Sequence, residues 1–318
     1  MKKLDSWFLA GCGMNLYRGC GHDCAYCDGR AEKYQVQGRF GSDIQVKVNA
    51  VEVIRRELGL LSSAQAELWP GTPRRRGGFV LLGGGVGDSY QPAEERSGLA
   101  RRVLELFAEN AIPAHVLTKS TLVLRDADLL ERIARTAGAL VSFSISSADD
   151  ALSSIFEPGA APTSERLRAI AALRGRGINA GVFLMPVLPF LTDGAESIEE
   201  SVGSAAAAGA QYVLFGGMTL KPGRQKDHYL DTLARVRPDL VPRCRELYAG
   251  AECQRWGNPP RAYAEAVAGN FARAARRHSM PGRIPLELAS AVLDDREMAE
   301  MSAAHAKAER EMNRLNRC

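Results

Sequence analysis

The chain has 318 residues, of which 46% are hydrophobic, and its 41 basic and 37 acidic side chains give a formal charge of +4. This length suits one large α/β domain or two small ones, and the hydrophobic content supports a sizeable core. The mild charge does not by itself indicate a nucleic-acid partner, and no apolar run is long enough to span a membrane.

We expect a cytoplasmic protein with no membrane partner. The N-terminal run MKKLDSWFLAGCG has only a short, interrupted apolar stretch, so it does not resemble a signal peptide. Without an export signal, the seven cysteines are better interpreted as metal ligands or free thiols than as a disulfide framework.

Short apolar runs alternate with helical periodicity along most of the chain. Strands are predicted at 7–16, 79–82, 114–118, 139–145, 180–184 and 211–215. Helices are predicted at 94–110, 126–137, 164–174, 197–208, 261–277 and 286–317. Strand followed by helix, repeated, predicts βαβ units with parallel strands.

These units predict a partial six-stranded (β/α)6 barrel of the TIM type, with a doubly wound open sheet as the alternative. A full eight-stranded barrel typically needs ~250 residues, and only about 220 precede the change of pattern. We place the barrel at residues 1–237, with a metal-binding loop at 18–30, and a helical C-terminal extension packed on it at 238–318. Ligands should bind at the carboxyl ends of the strands.

The most informative run is GCGHDCAYC, which follows the first predicted strand. Cys20, Cys24 and Cys27 have the spacing C-x3-C-x2-C, and the next cysteine is Cys244. A four-iron cluster usually takes four cysteine ligands, so three thiolates would leave one iron open to a ligand that is not protein. The alternative is a structural zinc site, with His22 as fourth ligand.

This spacing resembles that of the radical S-adenosylmethionine (SAM) enzymes. The resemblance implies a [4Fe–4S] cluster on Cys20, Cys24 and Cys27, whose open iron is chelated by the amino and carboxylate groups of SAM. It implies further that an electron from the cluster cleaves SAM to a 5'-deoxyadenosyl radical, with a reductant such as flavodoxin or ferredoxin as partner. Tyr26 occupies the aromatic position of the motif and is grouped with the catalytic residues.

Glycines follow the second predicted strand in FVLLGGGVGDSYQP. Gly83, Gly84 and Gly85 allow close backbone approach to a ligand, and this position resembles the glycine motif that holds the SAM amino group. In isolation the same glycines could form a tight turn. Asp88 is a candidate for the same site, or a helix cap.

Later strand ends carry a cation, hydroxyls and a thioether. Lys119 lies at the strand end HVLTKST, where a SAM carboxylate could bind. Ser142, Ser144 and Ser146 alternate in VSFSISS and therefore share one face, either near a ribose in the barrel or on the wet side of a sheet. Met185 ends the fifth strand as a cover for adenine or as a core residue.

The chain resembles one branch of this superfamily, the spore photoproduct lyase family. The likeness covers roughly residues 14–190 and rests on the cysteine run, the Lys119 strand end and SFSISSADDALSSIFEPGAAPTSERLRAI, most of all on 156–166. It implies that Lys119 holds the SAM carboxylate and Ser144 the sugar. Arg166, at the end of the most similar segment, is included among the cofactor contacts.

The chain departs from that family at two positions. It has no cysteine between Cys27 and Cys244, where the lyase has its hydrogen-donor cysteine, and Asp28 stands where the lyase has a tyrosine. We therefore expect a radical SAM enzyme that abstracts hydrogen from an unidentified substrate. The alternatives are a DNA photoproduct repair lyase, which must bind nucleic acid, and a non-enzymatic zinc or iron protein that binds a partner.

The last predicted strand continues into FGGMTLKPGRQKDHY. Lys221, Arg224, Lys226 and His228 predict a basic, partly flexible loop at the barrel rim. Such a rim suits a phosphate, a carboxylate or a nucleic-acid backbone as substrate. A solvated loop is the alternative interpretation.

Overall fold

The computed structural model describes residues 5–60, 77–84 and 86–315. Its main sheet has six strands, all parallel, in the order β1-β4-β5-β6-β7-β8. Because the spatial order follows the chain without the reversal that defines a doubly wound sheet, the partial barrel prediction is confirmed. A small antiparallel pair, β2 with β3, lies beside it.

The strands form where short apolar runs meet Gly or Pro. Three central strands have the predicted bounds, whereas β1 is shorter than predicted and β7 longer, and β8 begins and ends two residues later. The bounds are β1 Ala10–Met14, β2 Tyr17–Arg18, β3 Gln45–Val46, β4 Phe79–Leu82, β5 Ala114–Thr118, β6 Ala139–Ile145, β7 Asn179–Val187 and β8 Val213–Gly217.

Helices follow the strands and cover the outer face of the sheet. Their bounds are α1 Ala50–Glu57, α2 Glu94–Ser97, α3 Leu99–Glu109, α4 Ala127–Thr136, α5 Asp150–Phe156, α6 Thr163–Gly175, α7 Ala195–Ala207, α8 Arg224–Val236, α9 Val241–Leu247, α10 Ala251–Trp256, α11 Arg261–Arg277 and α12 Asp295–Leu315. Short 3-10 turns lie at Asp28–Arg30, Glu32–Tyr34, Thr121–Asp126, Pro238–Leu240 and Leu286–Ala289.

Three sequence predictions are wrong in detail. The helix expected at 286–317 is a 3-10 turn at Leu286–Ala289 followed by α12, which begins only at Asp295, where the Asp294 side chain accepts from the Glu297 N–H and caps it. The single helix expected at 94–110 is broken at Gly98, whose φ of 58° ends α2 before α3 begins. Residues 224–228, which were expected to form a flexible loop, are the first turn of α8. Pro222 and Gly223 lie before this helix and therefore do not interrupt it. Five helices, α1, α5, α8, α9 and α10, were not predicted individually.

Apolar side chains form a core on each face of the sheet. The outer core packs the sheet against α3, α4, α6, α7 and α11, and its contact with α11 includes Phe215 stacked on Phe271 at 5.1 Å between ring centroids. The inner core fills the barrel with residues from β4 to β8 together with Ile284, Leu293 and Met301. The C-terminal residues therefore complete both cores. The division at residue 237 stays a prediction.

Among the helices of the described ranges, none combines the length and apolar character of a bilayer span.

Candidate functional site

The three motif cysteines lie in a loop between β2 and the Asp28–Arg30 turn. Cys20 and Cys24 are buried and Cys27 is partly buried, and all three are free thiols. Burial is the main cause that raises the pKa of each thiol, to about 12 for Cys24, where Lys119 opposes the rise. The thiols are therefore protonated in the metal-free chain, and a metal would bind by displacing those protons.

The loop is held by the segment that follows α5. The backbone N–H of Ala25 donates to Phe156 O at 2.8 Å, and that of Gly159 donates to His22 O at 3.0 Å. A Cβ on Gly159 would lie 2.2 Å from Gly21 O, so only glycine permits this approach. The FEPG run singled out in the sequence is thus the support of the cysteine loop.

His22 is not available as a zinc ligand. Its Nδ1 lies 2.8 Å from Gly159 O and its Nε2 lies 3.0 Å from Asp88 Oδ2, so both ring nitrogens have partners. Within the described ranges, no three His, Cys, Asp or Glu side chains are arranged to hold one metal ion. A zinc site needs its ligands around one point, whereas the cysteines of a four-iron cluster bind different irons. With His22 engaged, the loop supplies three thiols, the number that a four-iron cluster with one open iron would use.

A buried carboxylate, Glu157, connects the cysteine loop to the strand ends. It is 1% exposed and accepts hydrogen bonds from Tyr26 OH and from Arg166 Nη2. Burial alone would raise the pKa of Glu157, but Arg166 and Lys119 outweigh it and hold the pKa at about 2. Arg166 also donates to Ser144 O at 2.8 Å, so it positions the tip of β6.

Lys119 extends from the end of β5 into this group. Its Nζ donates to Ser144 Oγ at 2.5 Å and lies 4.0 Å from Glu157 Oε1. Ser144 in turn donates to Met185 O at 2.7 Å. The two cations, Lys119 and Arg166, face one carboxylate, Glu157, which leaves one positive charge without a partner in this group. Such a charge suits an anionic ligand.

Asp88 ties two strand ends to the cysteine loop. Besides facing His22, its carboxylate accepts from Thr118 Oγ1 at 2.8 Å and from the backbone N–H groups of Lys119 and Tyr90, both at 2.7 Å. Burial opposes ionisation, but His22 and these donors lower the pKa of Asp88. These hydrogen bonds favour a role for Asp88 in positioning the loop and the strand ends over direct contact with a cofactor.

The glycines after β4 have positive φ angles, which only glycine adopts without strain. Gly83 has φ +91° and Gly84 has φ +94°, and a Cβ on Gly83 would lie 2.5 Å from Leu117 O. The backbone at the β4 tip therefore lies directly against β5. Gly85, also proposed for this site, lies outside the described residues.

The alternating serines do not share one role. Ser142 Oγ lies 2.7 Å from both His115 Nε2 and Tyr212 OH and is fully buried, so its hydroxyl is engaged in the inner core. Ser146 is also buried, whereas Ser144 meets Lys119. Met185 lies beside Gly216, where a Cβ would be 2.5 Å from its Cε.

Two of the four basic rim residues have acidic partners within the chain. Lys221 Nζ lies 2.5 Å from Asp28 Oδ2, and Arg224 Nε lies 3.4 Å from Glu32 Oε1. Lys226 donates to Tyr248 O at 3.1 Å. Burial, followed by the nearby Arg30 charge, lowers the pKa of the fourth rim residue, His228. These side chains dock the β8 end onto the cysteine loop.

Two residues of this site were missed from the sequence. Gln225 is fully buried, and its Nε2 donates to Tyr26 O at 2.8 Å and to Asp28 Oδ1 at 3.0 Å. A lone amide in a basic run carries no local signal of such a role. Glu157 had one signal, its place in the FEPG run, but nothing in that run indicates what its carboxylate contacts.

Comparisons with known proteins concern the family and the fold of the chain. A family model described as the Radical SAM superfamily matches residues 14–203. An uncharacterized protein of Mycobacterium tuberculosis (strain H37Rv) is 35% identical over 239 residues, and the chain spans 66% of that relative's length and matches over 74% of its own. An uncharacterized protein of Methanocaldococcus jannaschii is 28% identical over 219 residues, which cover 69% of this chain and 74% of the relative.

Solved structures of similar fold include spore photoproduct lyase. A variant of that enzyme with bound AdoMet and dinucleoside spore photoproduct has a TM-score of 0.61 at 18% identity, over 85% of this chain and 74% of the lyase. A second lyase variant has a TM-score of 0.60, also at 18% identity, over 89% of this chain and 78% of the other. At this identity the likeness concerns the fold.

Proposed function

The chain belongs to the radical SAM superfamily, and on that premise we propose that it is an enzyme whose Cys20, Cys24 and Cys27 hold a [4Fe–4S] cluster. When bound, the cluster and SAM supply a 5'-deoxyadenosyl radical that abstracts hydrogen from a substrate. The observation that carries the proposal is the position of Lys119 against the cysteine loop: its Nζ lies 5.7 Å from the centroid of the Tyr26 ring and 4.0 Å from Glu157 Oε1.

The residues around the loop have distinct proposed roles. Lys119 attracts the SAM carboxylate, because the Lys119–Arg166–Glu157 group has one positive charge in excess. The backbone of Gly83 and Gly84 receives the amino group. Ser144, held by Lys119 and by Met185 O, is placed to contact the sugar, and the Met185 side chain to cover adenine. Tyr26 and Arg166 orient Glu157 rather than the ligand.

The substrate and the reductant remain open to experiment. An external one-electron donor such as flavodoxin or ferredoxin is required by the chemistry of a reducible cluster. We do not propose DNA repair, since Lys221 and Arg224 are paired with acids of the same chain, and such pairs reduce the attraction of a phosphate backbone. The rim then serves mainly to close the barrel around a smaller substrate.

The first test concerns the thiols. We expect the chain, reconstituted anaerobically with iron and sulfide, to bind about four irons per chain and, once reduced, to convert SAM to 5'-deoxyadenosine. Cys24→Ala should lose both properties, whereas Cys244→Ala, which removes an equally buried thiol outside the loop, should keep them. Bound zinc, or iron without SAM cleavage under strong reduction, would favour a structural metal protein instead.

The second test concerns the anion site. Lys119→Met keeps the length of the stem but removes the charge, so SAM affinity should fall about tenfold or more while the iron content stays unchanged. The matched control is Lys47→Met, which should bind SAM normally. Lys47 directly follows β3 and donates to Asn15 O. Equal SAM affinity of Lys119→Met and the unmodified chain would remove Lys119 from the cofactor site.

A further inference from the structure

β8 is an edge strand of the main sheet, since the strand order ends with it. Its last three residues, 215–217, line a cavity of about 690 Å³. The other walls of the cavity are the helices α11 and α12, the connecting segment 280–285 and Trp7. As far as the described residues show it, the lining contains none of the motif cysteines.

The backbone of β8 points alternately towards β7 and towards this cavity. Val182 of β7 donates from its N–H to Tyr212 O at 2.9 Å, so the even-numbered residues here face β7. Val213 N–H points the other way and donates to Pro281 O at 3.0 Å. Because the direction of the backbone groups reverses at each residue of a strand, the later odd-numbered residues of β8 also face away from β7.

Phe215 and Gly217 therefore present unpaired backbone groups to the cavity. Within the described ranges, the bond from Val213 is the one backbone hydrogen bond of β8 on this side, so both residues keep an N–H and a C=O without a partner. The two sets of groups lie about 6.6 Å apart, the repeat of two residues in an extended chain. Such an edge is the usual template for the addition of one more strand.

Apolar side chains flank this edge. Phe215 stacks on Phe271 at 5.1 Å between ring centroids, and Met280, Ile284 and Met312 line the same cavity. The side chains of an added strand would point alternately to its two sides. Apolar residues at every second position of that strand would therefore contact the wall.

The charged side chains of the lining argue against an acidic occupant. The carboxylates of Glu265, Glu309 and Glu311 line the cavity, against the guanidinium groups of Arg261 and Arg283. Arg261 is paired with Glu265, and the charge of Glu311 acts on Arg283. One carboxylate is thus in excess, so a segment that is neutral or has a basic side chain fits this wall better than an acidic one.

The walls also decide between a single segment and a second copy of the sheet. In a second copy, α11 and α12 would flank its own β8 in the same way, so two β8 edges could not meet. A single extended segment needs only the space of the cavity, whose volume lies in the usual range of binding pockets.

We propose that the edge of β8 binds an extended segment of another polypeptide, which adds a seventh strand to the main sheet. The backbone of the segment pairs with Phe215 and Gly217, and apolar side chains at alternate positions contact Phe271 and Met312. The segment has no acidic residue at this wall. The site goes beyond the proposed function and is independent of the cluster and of SAM.

Short peptides test this assignment on the full-length chain. The probes are dansylated heptapeptides of the pattern Thr-X-Thr-X-Thr-X-Lys, in which X is Val, Leu, Phe or Met. We expect at least one of them to bind with a Kd of about 100 µM or tighter. N-methylation of alternate amides gives two forms of that peptide. The form methylated on the amides that face β8 should bind at least about tenfold more weakly, and the other should stay within about threefold.

A pair of variants at one position tests the location. Gly217→Pro removes the N–H at the edge, where proline is tolerated because that N–H has no partner in the sheet. Gly217→Ala keeps the N–H and adds a Cβ where no atom lies within 4 Å, so it is the matched control. Peptide affinity should fall about fivefold or more for Gly217→Pro and stay within about twofold for Gly217→Ala. Both variants are first checked for a native unfolding transition.

Amide hydrogen exchange, resolved by NMR, tests the location without a variant. In the free chain the amides of Phe215 and Gly217 should exchange faster than those of Leu214 and Gly216, which face β7. The bound peptide should slow the exchange of Phe215 and Gly217.

Three results would overturn the assignment. If none of the peptides binds, the edge of β8 is not a docking site. If both N-methylated forms bind as tightly as the parent peptide, the cavity takes an apolar ligand without strand pairing. If Gly217→Pro folds and binds like Gly217→Ala, or if the peptide leaves the exchange of Phe215 and Gly217 unchanged, the peptide binds elsewhere. None of these results depends on iron or SAM, so they leave the proposed function untouched.

Discussion

At the scale of single residues, Glu157 does the most to assemble the candidate site. One carboxylate bonds Tyr26 of the cysteine loop and Arg166 of α6, and it lies 4.0 Å from Lys119 at the end of β5. Breaking a buried pair of this kind typically costs about 3–5 kcal/mol, because the remaining charge has no partner. The side chain thus couples the stability of the barrel to the geometry of its proposed cofactor site.

The inner core contains a second polar group, built on His115. Because the Phe8 carbonyl can only accept, His115 Nδ1 donates to it at 2.9 Å, and Nε2 accepts from Ser142. Tyr212 OH then donates to Ser142 Oγ at 2.7 Å. This arrangement requires a neutral imidazole, and burial lowers the pKa of His115 to about 4.

The pH dependence of stability should report this histidine. Its pKa rises to about 6.5 on unfolding, so the unfolded chain takes up a proton first as the pH falls. The contribution of His115 is complete above about pH 6.5 and is lost towards pH 4, by about 3 kcal/mol in all. Urea unfolding of the wild type and of His115→Gln between pH 7 and 4 measures the difference. Equal pH slopes would contradict the assignment.

At the scale of elements, the strand tips set the spacing of the site. The β4 tip approaches β5 so closely that Gly83 cannot carry a side chain without moving the Leu117 carbonyl. Asp88 then bonds the β5 tip and faces His22 of the cysteine loop. Loop, β4 and β5 therefore form one rigid unit.

Gly83→Ala should destabilise the fold by about 2 kcal/mol or more, because it combines a φ of +91° with a backbone clash. Gly175→Ala at the end of α6 is the control, since no atom lies within 4 Å of its Cβ position. It should be neutral or stabilising by up to about 1 kcal/mol. The midpoints of urea unfolding, compared at constant m-value, measure the change in stability of each variant. Equal changes for Gly83→Ala and Gly175→Ala would mean that the β4 tip relaxes freely.

The β8 end shows why the rim was misjudged from the sequence. A run of basic side chains after Pro and Gly favours a solvated loop when read locally. In the fold, Asp28 and Glu32, in the turns that follow the cysteine loop, lie opposite Lys221 and Arg224, which are nearly two hundred residues away in sequence. The charges are therefore used to join two parts of the barrel.

At the scale of the whole molecule, the C-terminal region takes part in the barrel core. Ile284, Leu293 and Met301 fill the inner face, and Phe271 covers β8 on the outer face. Each such side chain contributes about 2 kcal/mol on burial, and whole domains are stable by only about 5–15 kcal/mol. The barrel and its extension should thus unfold together.

A chain that ends at residue 237, the boundary expected from the sequence, should therefore lack a cooperative unfolding transition. Circular dichroism during urea titration of this fragment and of the full chain makes the comparison. A fragment that unfolds cooperatively with native-like helix content would instead support a separable barrel domain and confirm the predicted boundary.

The sequence by itself determined the family, the parallel strand order and the bounds of β4, β5 and β6. These features depend on local patterns: a cysteine spacing, and apolar runs that end in glycine or polar residues. The fold confirmed a partial barrel for the same reason, since strands and helices alternate from β4 to β8.

Only the tertiary structure decided which polar residues act together. Ser142 and Ser144 are equivalent in the strand pattern, yet one bonds His115 in the core and the other Lys119 at the strand tip. Glu157 and Gln225 owe their roles to partners more than a hundred residues away. Such contacts follow from how the barrel closes, and no local run of residues encodes which distant side chain will lie opposite.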